Sequence, residues 1–356
     1  MFYIKSIKIG NFRCYSDYYQ EFSPKINIII GENAVGKTSL IEAVYALGLT
    51  KSHKTSNDYE MIKKGEEYCF IKGSFFDGQE DNVTCSITSK GKQIIKNDKK
   101  VGHISKYIGF YNVVMFCPED LELINGAPIA KRRFLDINIC QIDPIYLDAL
   151  SKYKRLLKER NQLLKDIKED LGKYKDLLDV ITNKLIEEAK IIIKHRRDFI
   201  NKLSIFFKKQ VEFISSHKEE ATLEYEPSCN EDNLELESKN KEKLDLITKT
   251  TNWGPHRDDF RIVFNGMGSE LASQGQQKTF ALALKLALID ILKEKSNRII
   301  VILDDVFGEL DVIRQKEIIK IIEMEYQIFI TTTSIDYLDS DVLRNSNIIK
   351  IERLSE

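Results

Sequence analysis

The run Gly31-Glu32-Asn33-Ala34-Val35-Gly36-Lys37-Thr38 constrains this chain more than any other stretch of it. It fits the pattern G-x-x-x-x-G-K-[ST] in full, and it stands where that pattern has physical meaning. Before it, Ile26 to Ile30 form an almost wholly apolar run, as expected of a strand covered on both faces. After it, Leu40, Ile41, Val44, Tyr45 and Leu47 recur at helical spacing, and Gly48 is placed to end the helix. A strand, a glycine-bounded loop and a helix start in that order turn backbone N–H groups around a phosphate and aim the positive end of the helix at it. Gly31 and Gly36 allow the backbone angles this requires. Lys37 is expected to reach the β- and γ-phosphates of ATP, and Thr38 to ligate Mg²⁺.

A second apolar run, residues 299–303, ends in Asp304 and Asp305. Asp304 is the expected partner of Mg²⁺. Asp305 stands where a general base would orient the attacking water, although many such enzymes carry the longer Glu there. This acidic strand lies far from the phosphate loop, unlike the closer spacing of RecA-like and kinase-like chains. Shortly before it, Leu271-Ala272-Ser273-Gln274-Gly275-Gln276-Gln277 leads into an amphipathic helix over about 276–295. Ser273 and Gln276 fit the S-x-x-Q capping box, so a capped helix alone would account for the turn. The order is more telling: phosphate loop, insert, serine-bearing turn, then the acidic strand roughly thirty residues further on. That order resembles the ABC arrangement, which implies that the signature turn of one chain (here Ser273, Gln274, Gly275 and Gln276) meets the γ-phosphate held by another. ATP then joins two copies, and hydrolysis loosens them. Catalysis falls to Lys37 and Asp305. Glu309 and Asp311 lie on the segment expected to cross the dimer interface. Residues 328–330 form a strand leading to Thr331-Thr332-Thr333. Many ABC proteins place a phosphate-sensing His there; Thr332 and Thr333 are the candidates here, and a plain strand end fits equally well.

Residues 2–9 alternate Phe2, Ile4, Ile7 and Ile9 with Lys5 and Lys8, with a slip at the middle, which suggests a strand. Segments 68–76 and 82–89 read as a small antiparallel layer. Residues 120–215 are rich in Leu, Ile, Lys and Glu, with almost no Gly or Pro after Pro144. With Leu156, Leu157, Leu163 and Leu164 on one stripe, they predict an antiparallel helical pair. The polar stretch 217–248 reads as a loop, and β character returns at 261–264. The fold class is therefore α/β: an ABC-type P-loop ATPase head with a mainly helical second lobe. The expected division is 1–115 and 276–356 for the head and 116–275 for the helical lobe. The formal net charge over 356 residues is −1, so a nucleic-acid face would have to come from local clustering. The six cysteines contain no C-x-x-C pair, which argues against a zinc site or disulfide framework. No apolar run approaches the roughly 18–20 residues of a membrane helix, and a cytoplasmic location without a membrane partner is expected.

Further blocks carry a family resemblance. They are Asn11-Phe12-Arg13, Ser52-His53-Lys54-Thr55, Pro118-Glu119-Asp120-Leu121, Lys131-Arg132-Arg133-Phe134-Leu135-Asp136 and Gly254-Pro255-His256-Arg257-Asp258-Asp259. Together with the motifs above, the chain resembles the RecF family, relatives of the SMC-type ATPases. The resemblance runs over essentially the whole length and is weakest over about 145–250. Val35 and Ser39 differ from the commonest residues of that family. The resemblance implies a DNA-dependent ATPase that forms a homodimer with ATP. It also implies partnership with RecR and RecO, and help in loading RecA at gapped or stalled DNA. It extends the nucleotide-binding set to Arg13 and Ser39. DNA contacts would come from Lys51, Lys54, Lys63 and Lys64, with Lys96, Lys99, Lys100, Lys152, Lys154 and Arg155 as further candidates. Each alone is an ordinary solvated lysine or arginine. With no base-reading module visible, binding would be sequence-independent and salt-sensitive. Arg132, Arg133, His256 and Arg257 read as structural, with Arg257 placed to ion-pair with Asp258 and Asp259; the alternative, a role near the nucleotide, concerns His256 and Arg257 alone. Two other functions fit the motifs: a transporter's nucleotide-binding subunit and a DNA scaffold that binds ATP without hydrolysing it. Stimulation of hydrolysis by DNA separates the first from the RecF reading, and an Asp305→Asn change separates the second.

Overall fold

In the computed structural model, which describes residues 1–55, 57–167, 171–306, 315, 325–336 and 338–352, the chain divides into two units. One is Met1–Asp120 together with Ile289–Glu356; the other is Leu121–Leu288.

The first unit is built on a five-stranded parallel sheet made by both ends of the chain. Its strands are β3 (Ile26–Ile30), β8 (Asn112–Phe116), β12 (Ile299–Asp304), β13 (Gln327–Thr332) and β14 (Ser346–Lys350), in the order β14-β3-β13-β12-β8. β8, β12 and β13 are buried at every position, which is why their sequences are apolar runs and do not alternate. A second, antiparallel sheet holds β1 (Tyr3–Phe12), β2 (Tyr15–Glu21), β4 (Tyr68–Phe76), β5 (Glu80–Thr88), β6 (Gly91–Lys96) and β7 (Lys99–Lys100), in the order β2-β1-β4-β5-β6-β7. The slip in the alternation of residues 2–9 is a register shift between Ile4 and Ser6, which lets Ile4, Ile7 and Ile9 all face the core.

Helix α1 (Lys37–Leu49) packs against strands of both sheets and is buried along nearly its whole length. Gly48 does not end it. The helix runs to Leu49 and is closed by Thr50 in the left-handed region, whose N–H donates to Ala46 O. A Cβ on Gly48 would stand 2.8 Å from the Tyr111 ring, so its small size serves helix-to-sheet packing. Gln327, fully buried, ties the sheets together. Its side chain accepts from Ile4 N at 2.8 Å and donates to Ile4 O and Ser23 O, also at 2.8 Å.

The second unit contains α2 (Glu122–Asn125), α3 (Pro128–Ile142), α4 (Pro144–Asp166), α5 (Leu171–Ile214) and α6 (Leu234–Thr248). It also holds β9 (Ala221–Glu226), β10 (Asp259–Phe264) and β11 (Met267–Gly268), in the order β11-β10-β9. Asp143 caps α4 by accepting from Ile145 N and Tyr146 N, with Pro144 at the first helical position. α4 and α5 run antiparallel, since Arg160 meets Thr182, Tyr146 meets Arg196 and Asp143 meets His195. Buried Leu178, Leu185, Ile192 and Phe199 repeat along α5 at a spacing of seven. Helix α7 (Gln274–Lys293) spans the division at Leu288.

The stretch 217–248 is not a loop. It forms β9 and α6. Its charged residues are used in pairing: Glu224 and Glu226 on β9 both reach Arg261 on β10. Asp245 on α6 is buried against Arg160, Trp253 and Asn252. The polarity of this stretch serves partners that lie elsewhere in the chain, so it does not mark a lack of structure.

Candidate nucleotide-binding site

The phosphate loop joins β3 to α1. A Cβ on Gly31 would lie 2.4 Å from Ile351 O, so only glycine fits where the chain end passes. Gly36 has φ +115°, a conformation L side chains rarely adopt, and Tyr15 Oη donates to its carbonyl at 3.1 Å. Ala34 also has positive φ. Glu32, Asn33 and Ala34 are exposed, Val35 is buried, and Ser39 is half-buried at the first turn of α1. Lys37 is buried and folds back over the loop. Its Nζ donates to Gly31 O at 2.9 Å and Glu32 O at 2.8 Å. The N-terminus of α1 has no side-chain cap and no acidic residue in its first turn. Its leading N–H groups are thus left to an anion, and the loop fits a triphosphate.

The acidic strand ends beside this loop. Asp304 is buried and lies directly opposite Thr331 in the β12–β13 ladder. Thr331 Oγ1 donates to Asp304 Oδ1 at 2.6 Å, and Thr38 Oγ1 stands 3.5 Å from the same oxygen. Burial pushes the Asp304 carboxyl above the usual carboxylate range; the Thr331 hydroxyl works against that, Asp305 adds to it, Lys54 opposes it, and Glu119 adds to it. Asp305 is exposed, has φ +52°, and its N–H donates to Thr331 Oγ1 at 3.0 Å. A hydroxyl and a carboxylate suit Mg²⁺, which takes a few protein oxygens and completes its shell with phosphate and water. Among the described residues no cluster of three or more His, Cys, Asp or Glu could hold a metal unaided, so such an ion would depend on the bound phosphate.

The two threonines singled out by sequence sit beyond this contact. Thr332 Oγ1 donates to Ser334 O at 2.8 Å and accepts from Ser334 N, which folds it into the following turn; Thr333 is exposed. Thr331, which sequence reasoning passed over, is the one held against Asp304. Only strand register reveals it. Glu309 and Asp311 lie outside the described residues.

Arg13 sits in the turn between β1 and β2. Its guanidinium grips the buried Glu42 carboxylate of α1 through Nε at 2.9 Å and Nη2 at 2.6 Å, and Nη1 donates to Glu60 O at 2.6 Å. Ser52 Oγ also donates to Glu42, and accepts from Lys54 N and Thr55 N. The network fixes segment 51–55 beside the phosphate-loop helix, with Lys51 and Lys54 exposed. Lys63 donates to Ser16 Oγ at 2.5 Å, and Lys64 is exposed. Lys99 and Lys100 are exposed too, whereas Lys96, Lys152 and Lys154 pair with Asp81, Asp148 and Asp136.

In the second unit the serine-bearing turn is a reciprocal capping box. Gln276 N donates to Ser273 Oγ at 3.3 Å, and Ser273 N donates to Gln276 Oε1 at 2.8 Å. Ser273, Gln274 and Gly275 are exposed. The block around Gly254–Asp259 is a buried cross-link. Arg196 of α5 donates to Pro255 O at 2.6 Å, Asp258 Oδ2 at 3.0 Å and Asp136 Oδ1 at 2.8 Å; Tyr225 Oη also donates to Asp258. Arg132 Nη1 donates to Asp258 O. His256 is held between Tyr153 Oη at 2.6 Å and Thr251 O at 3.0 Å, and burial pushes its pKa down. Arg257 reaches Thr251 O and Asn252 Oδ1; the neighbouring carboxylates of Asp258 and Asp259 are taken by Arg196 and Lys131.

Residues 3–352 match the family model described as the RecF/RecN/SMC N terminal domain. The DNA replication and repair protein RecF of Bacillus cereus is 40% identical over 366 aligned residues, covering 98% of this chain and 96% of that protein. A solved structure of the recombination mediator protein RecF with ATP, in the RecFOR pathway, superposes with a TM-score of 0.88 at 36% identity. That match covers 96% of this chain and 93% of the other. The Smc head domain of Pyrococcus furiosus superposes with a TM-score of 0.55 at 18% identity, over 99% of this chain and 94% of that one, and shares the fold.

Proposed function

Since the chain belongs to the RecF/RecN/SMC family, and within it to the RecF proteins, we propose that it is a DNA-repair ATPase whose two copies close on ATP. The observation that carries this reading is the joint geometry of Lys37, Thr38 and Asp304. Lys37 bridges the carbonyls of the phosphate loop, and the Thr38 hydroxyl lies 3.5 Å from the Asp304 carboxylate. Lys37 exchanges its loop carbonyls for phosphate oxygens, and the free N–H groups of α1 receive the rest of the charge. Thr38 and Asp304 would hold Mg²⁺, which would supply charge neutralisation for the phosphates. Asp305, exposed at the strand end, orients the attacking water. The turn from Ser273 to Gln276 reaches the triphosphate held by the second copy and completes the site in trans. Glu309 and Asp311 belong to the same interface.

The substrate DNA is held through its backbone. Lys51 and Lys54, on a segment fixed by Glu42, are the contacts best placed to link it to the nucleotide, and Lys63 and Lys64 are further contacts. The partners are RecR and RecO, and the outcome is RecA loading at gapped or stalled DNA. The setting is the cytoplasm; no helix among the described residues is long and apolar enough to cross a membrane. The relative named above is a DNA replication and repair protein, which favours this reading over a transporter subunit.

Sedimentation velocity tests it directly. The parent chain is expected to shift from monomer to dimer on addition of ATP and Mg²⁺, with hydrolysis rising when DNA is added. Lys37→Ala is expected to stay monomeric. A dimer indifferent to ATP, or retained in full by Lys37→Ala, would refute the reading.

A further inference from the structure

We infer that Thr331 is a positioning residue for the hydrolytic site, setting the metal-holding carboxylate and the water-orienting residue with one hydroxyl. The inference rests on the nucleotide reading above and goes beyond it, since neither motif spacing nor the sensor position points to this side chain. Thr331 is fully buried at the end of β13, between β12 and β3, directly opposite Asp304. A hydroxyl has one proton to give and lone pairs to receive with. The proton goes to Asp304 Oδ1 at 2.6 Å. A lone pair takes the N–H of Asp305 at 3.0 Å.

Both bonds have consequences for chemistry. The first engages Oδ1, the same oxygen that stands 3.5 Å from Thr38 Oγ1, and fixes the carboxylate plane beside that hydroxyl. The second holds the chain as it leaves β12, where Asp305 adopts φ +52°. A non-glycine residue in that region needs something to keep it there. The Thr331 hydroxyl is such a restraint, and it sets the direction in which the Asp305 side chain projects. The aspartates are adjacent in sequence, yet their relative orientation is fixed from a neighbouring strand.

The test compares Thr331→Val, which keeps shape and removes both bonds, with Thr331→Ser, which keeps the hydroxyl. In Thr331→Val, kcat with ATP and Mg²⁺ is expected to fall about tenfold or more, the loss typical of one hydrogen bond to a charged group. KM for ATP should stay within about threefold, because the phosphate loop is untouched. A readout independent of turnover is Mn²⁺ binding in the presence of a non-hydrolysable ATP analogue, followed by electron paramagnetic resonance. Its affinity is expected to drop about fivefold or more in Thr331→Val and to recover in Thr331→Ser. A parent chain that binds no ATP with Mg²⁺ overturns the nucleotide reading and this inference with it. A parent that hydrolyses ATP overturns this inference alone if Thr331→Val matches it in kcat and Mn²⁺ affinity, or if Thr331→Ser falls as far as Thr331→Val.

Discussion

Ser273 offers a way to separate a helix cap from a contact between two chains. In the capping box Ser273 Oγ accepts the Gln276 N–H at 3.3 Å. That leaves its hydroxyl proton unassigned and its side chain in solvent. Cap and phosphate contact can therefore coexist, one through a lone pair and one through the proton. Ser273→Ala removes both. As a cap alone, an exposed serine with a long bond is worth about 1 kcal/mol or less, which shows as a small drop in monomer stability and nothing more. As a donor to a triphosphate, each contact is worth about 1.5–3 kcal/mol, and a symmetric dimer contains two. The ATP-dependent dimer should then weaken by about 3–6 kcal/mol, or roughly a hundred- to ten-thousand-fold in Kd. Analytical ultracentrifugation of parent and variant at saturating ATP, over a range of protein concentration, measures this. Fluorescence-monitored binding of ATP to the monomer should be unchanged. An unaltered dimer Kd beside a slightly lowered monomer Tm would leave Ser273 as a cap only and refute the trans contact.

Other expectations follow from the second unit. Asp258→Ala should cost roughly 3–5 kcal/mol in denaturant unfolding, because it strips a buried guanidinium of one carboxylate and frees the Tyr225 hydroxyl; a loss below about 1 kcal/mol would contradict the cross-link. His256 is half-buried, and desolvation of its ring pushes its pKa below the ordinary 6.5. The unfolded chain therefore takes up the proton first, so the stability His256 contributes is present above pH ~6.5 and is lost as pH falls below it, by at most about 1.4 kcal/mol per pH unit. His256→Gln should flatten that limb between pH ~6.5 and 5 in parallel denaturant titrations; equal slopes for both chains would dismiss the effect.

The phosphate loop and the acidic strand were legible because their chemistry is local. A glycine-bounded turn between an apolar strand and a helix says the same thing in sequence and in space, as does an apolar strand ending in carboxylates. The bulge near Ile4 could be read too, since an extra residue breaks the period of two where it occurs. What stayed hidden depends on distant partners. The charges of β9 and α6 looked like a solvated loop until Arg261 and Arg160 supplied their counterparts. The family resemblance puts Arg13 near the nucleotide, but its hold on Glu42, one turn along the phosphate-loop helix from Thr38, leaves no mark in the sequence. Thr331 was indistinguishable from Thr332 and Thr333 because the three differ only in register.

The parallel sheet also carries a consequence for synthesis. β3, which launches the phosphate loop, becomes an interior strand only once β13 and β14 flank it, and both come long after it in the chain. A polypeptide still emerging from the ribosome holds the loop sequence from an early stage, yet lacks the strands that brace it and the carboxylate that faces it. Competence for nucleotide is thus deferred until β12, β13 and β14 have all been made, and a product cut short before them would carry the motif without the machine.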